Sequence, residues 1–324
     1  MEFDQPSGVT RRTMWKQTLR RIVLAILVPY GVFVVMLAFL QRSLIYLPTR
    51  EAHIDPADAG LPAGQVHNVR VETADGLVLH GWHILPDGRS AVDGAGCDRE
   101  LAAGRPLILF FSGNAANRRY RVPEFQVLTS LGCDVFVFDY RGYGENRGSP
   151  SEESLASDAR AVWDYATQQR KVPPERILLY GESLGGGVAV RLAGEVCEAG
   201  TSPAGIILRS TFSSLVDAGT YHYPWLPVRS FLIDQFPSVE RIPTVTCPIL
   251  QIHGARDKIM PIKLGRRLFD AAPNESSGGI SKRFVELAAA GHNDVILVAK
   301  EDVQRAVQEF LESLGSGPNA AAPE

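Results

Sequence analysis

Apolar positions along this chain fall into three kinds of run. The longest covers residues 22–40 and contains no charged residue. As a helix of about 19 residues it spans about 28 Å, close to the hydrocarbon thickness of a bilayer. Pro29 and Gly31 lie inside it, as kink points of the kind membrane helices tolerate. A buried core helix would not be apolar all round. A cleaved signal peptide would have a shorter apolar region and a small-x-small cleavage site, which QRSLIYLP does not offer. The run therefore predicts an uncleaved single-pass anchor, preceded by a basic segment over residues 1–21.

The second kind is short, rich in branched residues and closed by glycine, proline or charge, the signature of strands. Residues 66–71 and 77–84 predict a hairpin turning at Asp75-Gly76. Residues 106–111, 134–138, 177–180, 205–208, 248–253 and 283–287 predict buried strands. The third kind has helical spacing, over residues 117–131, after Ser183, over 263–271 and in a final helix to Leu314. Another helix starts at Ser149, with Ser149 as N-cap, Pro150 first and Glu152 completing a capping box. It carries Leu155, Ala159, Val162, Trp163 and Tyr165 towards the core.

Between these runs, residues 41–64 are a proline-containing linker and 86–105 a surface loop rich in Gly, Asp and Arg. Residues 211–244 are irregular, aromatic and proline-rich, and 315–324 are too polar and Pro/Ala-rich to pack, which predicts a disordered tail. Strands alternating with helices make a mostly parallel, twisted sheet covered on both faces. In such sheets functional sites gather at the carboxyl ends of the strands.

One stretch, RILLYGESLGGGVAV (residues 176–190), carries chemistry of its own. A strand runs into Gly181-Glu182-Ser183-Leu184-Gly185 and out into a helix. That context turns a G-x-S-x-G match into a nucleophile elbow, a strained turn that points the serine hydroxyl out of the sheet. The helix starting there aims N–H groups and a positive dipole end at a developing oxyanion. A serine hydroxyl is a poor nucleophile unless an imidazole takes its proton, and the imidazole needs a carboxylate to fix its tautomer. Asp257 and His292 each follow a predicted strand, and the order Ser183, Asp257, His292 is that of α/β-hydrolase triads. Asp294 reads as a helix cap, and Arg118, Arg119 and Arg121 as a solvated helix face.

The length of 324 residues, 45% of them hydrophobic, suits one large α/β domain. The net charge of −3 gives no argument for nucleic acid as a partner. The sequence has no zinc pattern, phosphate loop or dinucleotide fingerprint, so neither a metal nor an organic cofactor is expected. Cys97, Cys133, Cys197 and Cys247 form no C-x-x-C pair; one disulfide is open to them in an oxidising compartment, without an assignment.

With these motifs in view, residues 41–314 resemble the α/β-hydrolase superfamily, and within it the membrane-anchored alpha/beta hydrolase domain-containing and serine-aminopeptidase-like group. Gln41-Arg42-Ser43-Leu44-Ile45-Tyr46, Phe138-Asp139-Tyr140-Arg141-Gly142-Tyr143-Gly144 and the serine elbow carry the resemblance. The stretch from His222 to Val228, Ile252-His253-Gly254 with Asp257, and Gly291-His292-Asn293-Asp294 add to it. The resemblance implies the α/β-hydrolase fold, with Ser183 as nucleophile, His292 as general base and Asp257 as orienting acid. It puts oxyanion donors at the backbone N–H groups of Leu184 and Asn114. Relatives commonly carry His-Gly-Asn where this chain has Ser112-Gly113-Asn114; the donor is a backbone group, so the exchange need not remove it. His253 is structural in the resemblance.

The expected function is a single-pass membrane serine hydrolase that cleaves a carboxylic ester or thioester of a small-molecule or lipid acyl substrate. A peptidase is the alternative within the same chemistry, and a non-catalytic binding module the alternative outside it. Residues 211–244 are expected to form a small cap over Ser183, with Tyr223, Trp225 and Phe231 lining an acyl pocket. Arg11, Arg12, Lys16, Arg20 and Arg21 precede the apolar run, whereas Arg42 and Arg50 alone follow closely. The positive-inside rule then puts the N-terminus in the cytoplasm and the catalytic domain outside it, in the periplasm of a bacterium.

Overall fold

The computed structural model describes residues 11–315. The expected disordered tail lies, but for Gly315, outside the described residues, as does the first part of the basic segment. The chain divides into two compact units, one ending at Leu44 and one beginning at Ile45.

In the first unit the apolar run is part of a longer helix, α1 (Arg11–Ile45), with Pro29 inside it. Residues Met14–Ile45 have a mean hydropathy of 2.7 over their most apolar stretch, with none of that stretch buried. This helix is long and apolar enough to cross a membrane, and it extends past both expected ends.

The second unit is built on an eight-stranded sheet. Its strands are β1 (Val66–Glu72), β2 (Val78–Ile84), β3 (Leu107–Phe111), β4 (Asp134–Phe138), β5 (Ile177–Glu182), β6 (Gly205–Arg209), β7 (Ile249–Gly254) and β8 (Arg283–Leu287). They lie in the order β8-β7-β6-β5-β3-β4-β2-β1. Only the β1–β2 and β2–β4 pairs are antiparallel. The central strands β3, β4, β6 and β7 are buried at every residue, whereas the edge strands β1 and β8 are partly exposed. That is why the central strands read as largely apolar runs without a polar alternation: helices cover both faces, and even Asp134, Arg209, Gln251 and His253 within them are buried.

Helices α2 (Gly94–Leu101), α3 (Val122–Ser130), α4 (Glu152–Asp164) and α5 (Leu184–Glu198) come first. Helices α6 (Leu215–His222), α7 (Val228–Phe231) and α8 (Ser238–Arg241) follow between β6 and β7. Helices α9 (Ile262–Ala271) and α10 (Val295–Gly315) complete the unit. One core cluster joins α4 and α5 to one face of the sheet, and another joins α3 and α10 to the other.

Three local expectations are corrected. The presumed loop 86–105 contains α2, capped by Asp93 accepting from Gly96 N–H at 2.7 Å, with Cys97 and Leu101 buried; its glycines hid the i, i+4 apolar pair. Helix α4 starts two residues later than the Ser149 reading. Ser151 is its N-cap, in a capping box with Ser154. Glu152 turns instead to the backbone N–H of Phe236, at 2.8 Å. Finally, residues 117–131 break into a 3-10 turn, Arg118–Arg121, followed by α3. Arg118 is fully buried there, paired with Asp139 and, at 2.7 Å, with Glu145. The four cysteines are free thiols.

Candidate active site

The site is assembled at the carboxyl ends of β3, β5 and β7 and in the loop after β8. Ser183 sits between β5 and α5 with φ 50° and ψ −112°, a region that a non-glycine residue occupies only when its surroundings enforce it. The enforcement is steric. A Cβ on Gly185 would lie 2.0 Å from the Phe111 carbonyl oxygen, and one on Gly181 would lie 2.5 Å from the Gly186 Cα. Glycine at these two positions lets α5 lie against β3 and forces the turn between them. Leu184 N–H falls in the first turn of α5, where backbone N–H groups have no intrahelical partner.

Asp257 and His292 reach the same point from two loops. His292 Nε2 lies 3.0 Å from Ser183 Oγ, and His292 Nδ1 lies 2.6 Å from Asp257 Oδ2. The other carboxylate oxygen, Oδ1, accepts from the backbone N–H groups of Ile259 at 2.9 Å and Met260 at 2.7 Å. The turn after β7 thus fixes one oxygen and turns the other to the His292 imidazole, with His253 Nε2 3.5 Å from that same oxygen. Burial pushes the Asp257 carboxyl up, but hydrogen bonds to His253 and His292 and the Met260 N–H outweigh it and hold the group well below the usual carboxylate range. An ionised carboxylate only accepts, so it sets the proton on Nδ1 and leaves Nε2 to accept from the serine hydroxyl. Asp294 folds back so that Oδ1 accepts from Gly291 N–H at 2.6 Å, closing the turn that carries His292. His253 lies beneath, its Nε2 2.7 Å from the Met260 carbonyl.

Asn114 stands in the loop after β3. Its carbonyl accepts from Leu47 N–H at 2.9 Å and from the Tyr143 hydroxyl at 2.8 Å. Its side-chain Nδ2 donates to the Ile45 carbonyl at 2.7 Å. The backbone N–H of Asn114 takes no part in these bonds.

Behind the serine lies a charged group that sequence reasoning missed. Glu182 accepts from Gly113 N–H at 3.2 Å and from Arg121 Nε at 2.8 Å, and pairs with Arg209 Nη2 at 3.0 Å. Arg209 also binds both oxygens of Glu124, at 2.5 and 3.0 Å, and its Nη1 donates to the His292 carbonyl at 3.4 Å. Two arginines and two glutamates thus balance in charge while linking the loops of Ser183, Gly113 and His292. Arg121 belongs to this group and not to a solvated face; Arg119, paired with Glu51 at 3.2 Å, is the member of that trio at the surface. The available signal was Glu182 itself, a carboxylate inside an otherwise apolar strand end.

The presumed pocket residues are more exposed than an enclosed pocket needs. Tyr223 and Trp225 are 52% and 56% exposed, with ring centroids 6.5 Å apart, and Phe231 is half-buried. The buried aromatics of this segment are Phe212 and Phe236.

This strand order, with a serine elbow after the central β5, agrees with three comparisons. Residues 106–226 match the family model of the alpha/beta hydrolase fold. A lysophosphatidylserine lipase of Danio rerio, ABHD12, is 31% identical over 327 residues, covering 92% of this chain and 84% of the relative. The chain belongs to the α/β-hydrolase superfamily. An uncharacterised protein of Mycobacterium tuberculosis H37Rv is 41% identical over 271 residues, covering 84% of this chain and 87% of the relative. Among solved structures, an esterase of Pyrococcus furiosus superposes with a TM-score of 0.60 at 20% identity, covering 83% of this chain and 98% of its own; at that identity the likeness is one of fold. The expected α/β-hydrolase architecture, a mostly parallel sheet flanked by helices with an apolar helix before it, is the one observed.

Proposed function

We propose that this superfamily member is a membrane-anchored serine hydrolase that cleaves carboxylic esters or thioesters of lipid-like acyl substrates through an acyl-enzyme. The observation that carries this reading is the hydrogen-bonded line from Ser183 Oγ through the His292 imidazole to the Asp257 carboxylate. Ser183 Oγ attacks the substrate carbonyl carbon as its proton passes to His292 Nε2. The resulting oxyanion is met by the N–H groups of Leu184 and Asn114. Collapse of the tetrahedral intermediate breaks the bond to the alcohol or thiol, which takes the proton from His292. Water then repeats the sequence on the acyl-serine. Asp257 stays ionised and stabilises the imidazolium formed in each half-reaction.

Kinship to a lysophosphatidylserine lipase supports an acyl ester of a glycerol-based amphiphile as the substrate class. The cap over residues 211–244 contributes Tyr223, Trp225 and Phe231 to the acyl path. Basic residues crowd the start of α1, so the N-terminus is cytoplasmic and the catalytic domain lies across the membrane; protease added to intact spheroplasts should reach the domain, and protection would reverse this orientation. The deciding experiment is a screen of the purified full chain against acyl esters of graded length, lysophospholipids included. Activity should appear with wild type and vanish with Ser183→Ala. Equal labelling of both proteins by a fluorophosphonate probe would move the nucleophile elsewhere.

A further inference from the structure

Ile45, the last residue of α1, and the residues just after it have no role in the chemistry so far, yet they bond directly to the loop that carries Asn114. Leu47 pairs with Ala115 and Pro48 with Ala116 in a parallel bridge. Leu47 N–H donates to the Asn114 carbonyl at 2.9 Å, and Asn114 Nδ2 donates back to the Ile45 carbonyl at 2.7 Å. Tyr46, between them, is buried, and its hydroxyl donates at 2.9 Å to Asp234, itself buried in the segment between β6 and β7.

The loop needs such a hold. Gly113 gives it backbone freedom, and Ala116 sits at φ 67°, a left-handed conformation that persists in a non-glycine residue only where its neighbours over-determine it. An oxyanion donor works only if held to within about 0.5 Å of its productive place. Glu182 fixes the Gly113 end of the loop. At Asn114 itself, the Leu47 N–H and the Tyr143 hydroxyl hold the carbonyl and the Ile45 carbonyl holds the side chain, so the Cα that carries the N–H is fixed from two directions.

We propose that Ile45–Pro48 is a positioning element of the oxyanion loop: the Leu47 N–H holds the Asn114 carbonyl and the Ile45 carbonyl holds the Asn114 side chain, which fixes the Asn114 Cα so that the N–H on its other side meets the tetrahedral intermediate. The chain leading out of α1 is then part of the active-site scaffold as well as a tether. This inference rests on the serine hydrolase reading above.

The test uses the full chain in detergent micelles with a short, soluble p-nitrophenyl ester. Asn114→Leu removes the side-chain donor and keeps the backbone N–H; Leu47→Pro removes the donor to the Asn114 carbonyl. In each, kcat per fluorophosphonate-titrated serine should fall about 10- to 100-fold while KM moves by less than about threefold. The affinity of a trifluoromethyl ketone, which places an oxyanion in the same site, should fall in step with kcat/KM. A merely structural segment would lower the melting temperature and the titratable fraction, leaving kcat per titrated serine and ketone affinity at wild-type values. That outcome overturns the proposal. Wild-type enzyme that is not labelled at Ser183 overturns the hydrolase reading and this one with it, and that failure is read from the wild type alone.

Discussion

Glu182 Oε2 accepts a hydrogen bond from the backbone N–H of Gly113 at 3.2 Å. The residue before the candidate nucleophile therefore holds the loop of the candidate oxyanion donor. Its carboxylate is clamped by Arg121 and Arg209, and Arg209 reaches on to the His292 carbonyl. A buried group of four charges is weak evidence for stability, because desolvation offsets much of the attraction. Its geometric effect is clearer: Gly113, Glu182 and the His292 carbonyl are held by one connected group of charges.

Glu182→Gln tests this support through pH. Burial pushes the Glu182 carboxyl up, but the Arg121 and Arg209 charges, with the Arg121 and Gly113 hydrogen bonds, hold it well below the usual range. A carboxyl depressed in the folded state adds stability at pH above its unfolded value, about 4.3, and that stability is lost as pH falls through the lower folded value. The melting temperature of wild type should exceed that of Glu182→Gln most near neutrality, and the gap should narrow steadily below about pH 4. A gap independent of pH would mean that the ionised carboxylate contributes nothing specific.

Asp257→Ala and His292→Ala should each lower the acyl-transfer rate by about ten-thousandfold, and the double variant should lose little more, because the groups act as a unit. Asp257→Asn separates charge from shape. With Ile259 and Met260 N–H groups already on Oδ1, an amide at Oδ2 would present the wrong partner to His292 Nδ1–H, so activity should fall almost as far as in Asp257→Ala. Single-turnover rates with an activated ester would check both; near-normal turnover in Asp257→Asn would mean that another carboxylate holds the histidine.

Gly185→Ala should fail at the level of folding. The new methyl would stand 2.0 Å from the Phe111 carbonyl oxygen and 2.6 Å from that of Ser112, and neither backbone group can rotate away. The cost should exceed the about 1–3 kcal/mol typical of an overpacked core. A soluble Gly185→Ala protein with a wild-type melting temperature would show that the elbow can open without loss.

Much of this was legible in the sequence, for physical reasons that differ from part to part. Strands β3 to β7 announced themselves because a buried parallel strand has no polar face to blur its boundaries. The elbow was legible because its glycines answer a steric demand within five residues. Helix α2 was hidden, since its core contacts come from Cys97 and Leu101 alone among polar and small residues. The buried arginines were hidden for a deeper reason. Arg118 lies over the Trp82 ring at 4.9 Å and binds Asp139 and Glu145, and Arg121 binds Glu182. Each of those partners is distant in sequence, so no local pattern separates a buried arginine from a solvated one. The hold of Ile45 and Leu47 on Asn114 spans nearly seventy positions and is invisible for the same reason.

The segment between β6 and β7 divides into two parts that substitution can tell apart. Phe212 and Phe236 are buried, and Phe236 lies against α5, where a Cβ on Gly187 would come within 2.9 Å of its ring. Phe236→Ala should therefore cost about 3–5 kcal/mol and lower the melting temperature whatever the substrate. Trp225, 56% exposed, and half-buried Phe231 have much less burial to lose, so the double variant Trp225→Ala/Phe231→Ala should melt within a few degrees of wild type. If these two rings line the acyl path, the gain of about 0.8 kcal/mol per buried methylene shrinks when they are removed. The dependence of kcat/KM on acyl length should then flatten while short esters turn over at near wild-type rates. A length profile that keeps its slope in the double variant would place the acyl path elsewhere on the domain and leave Trp225 to a different surface role.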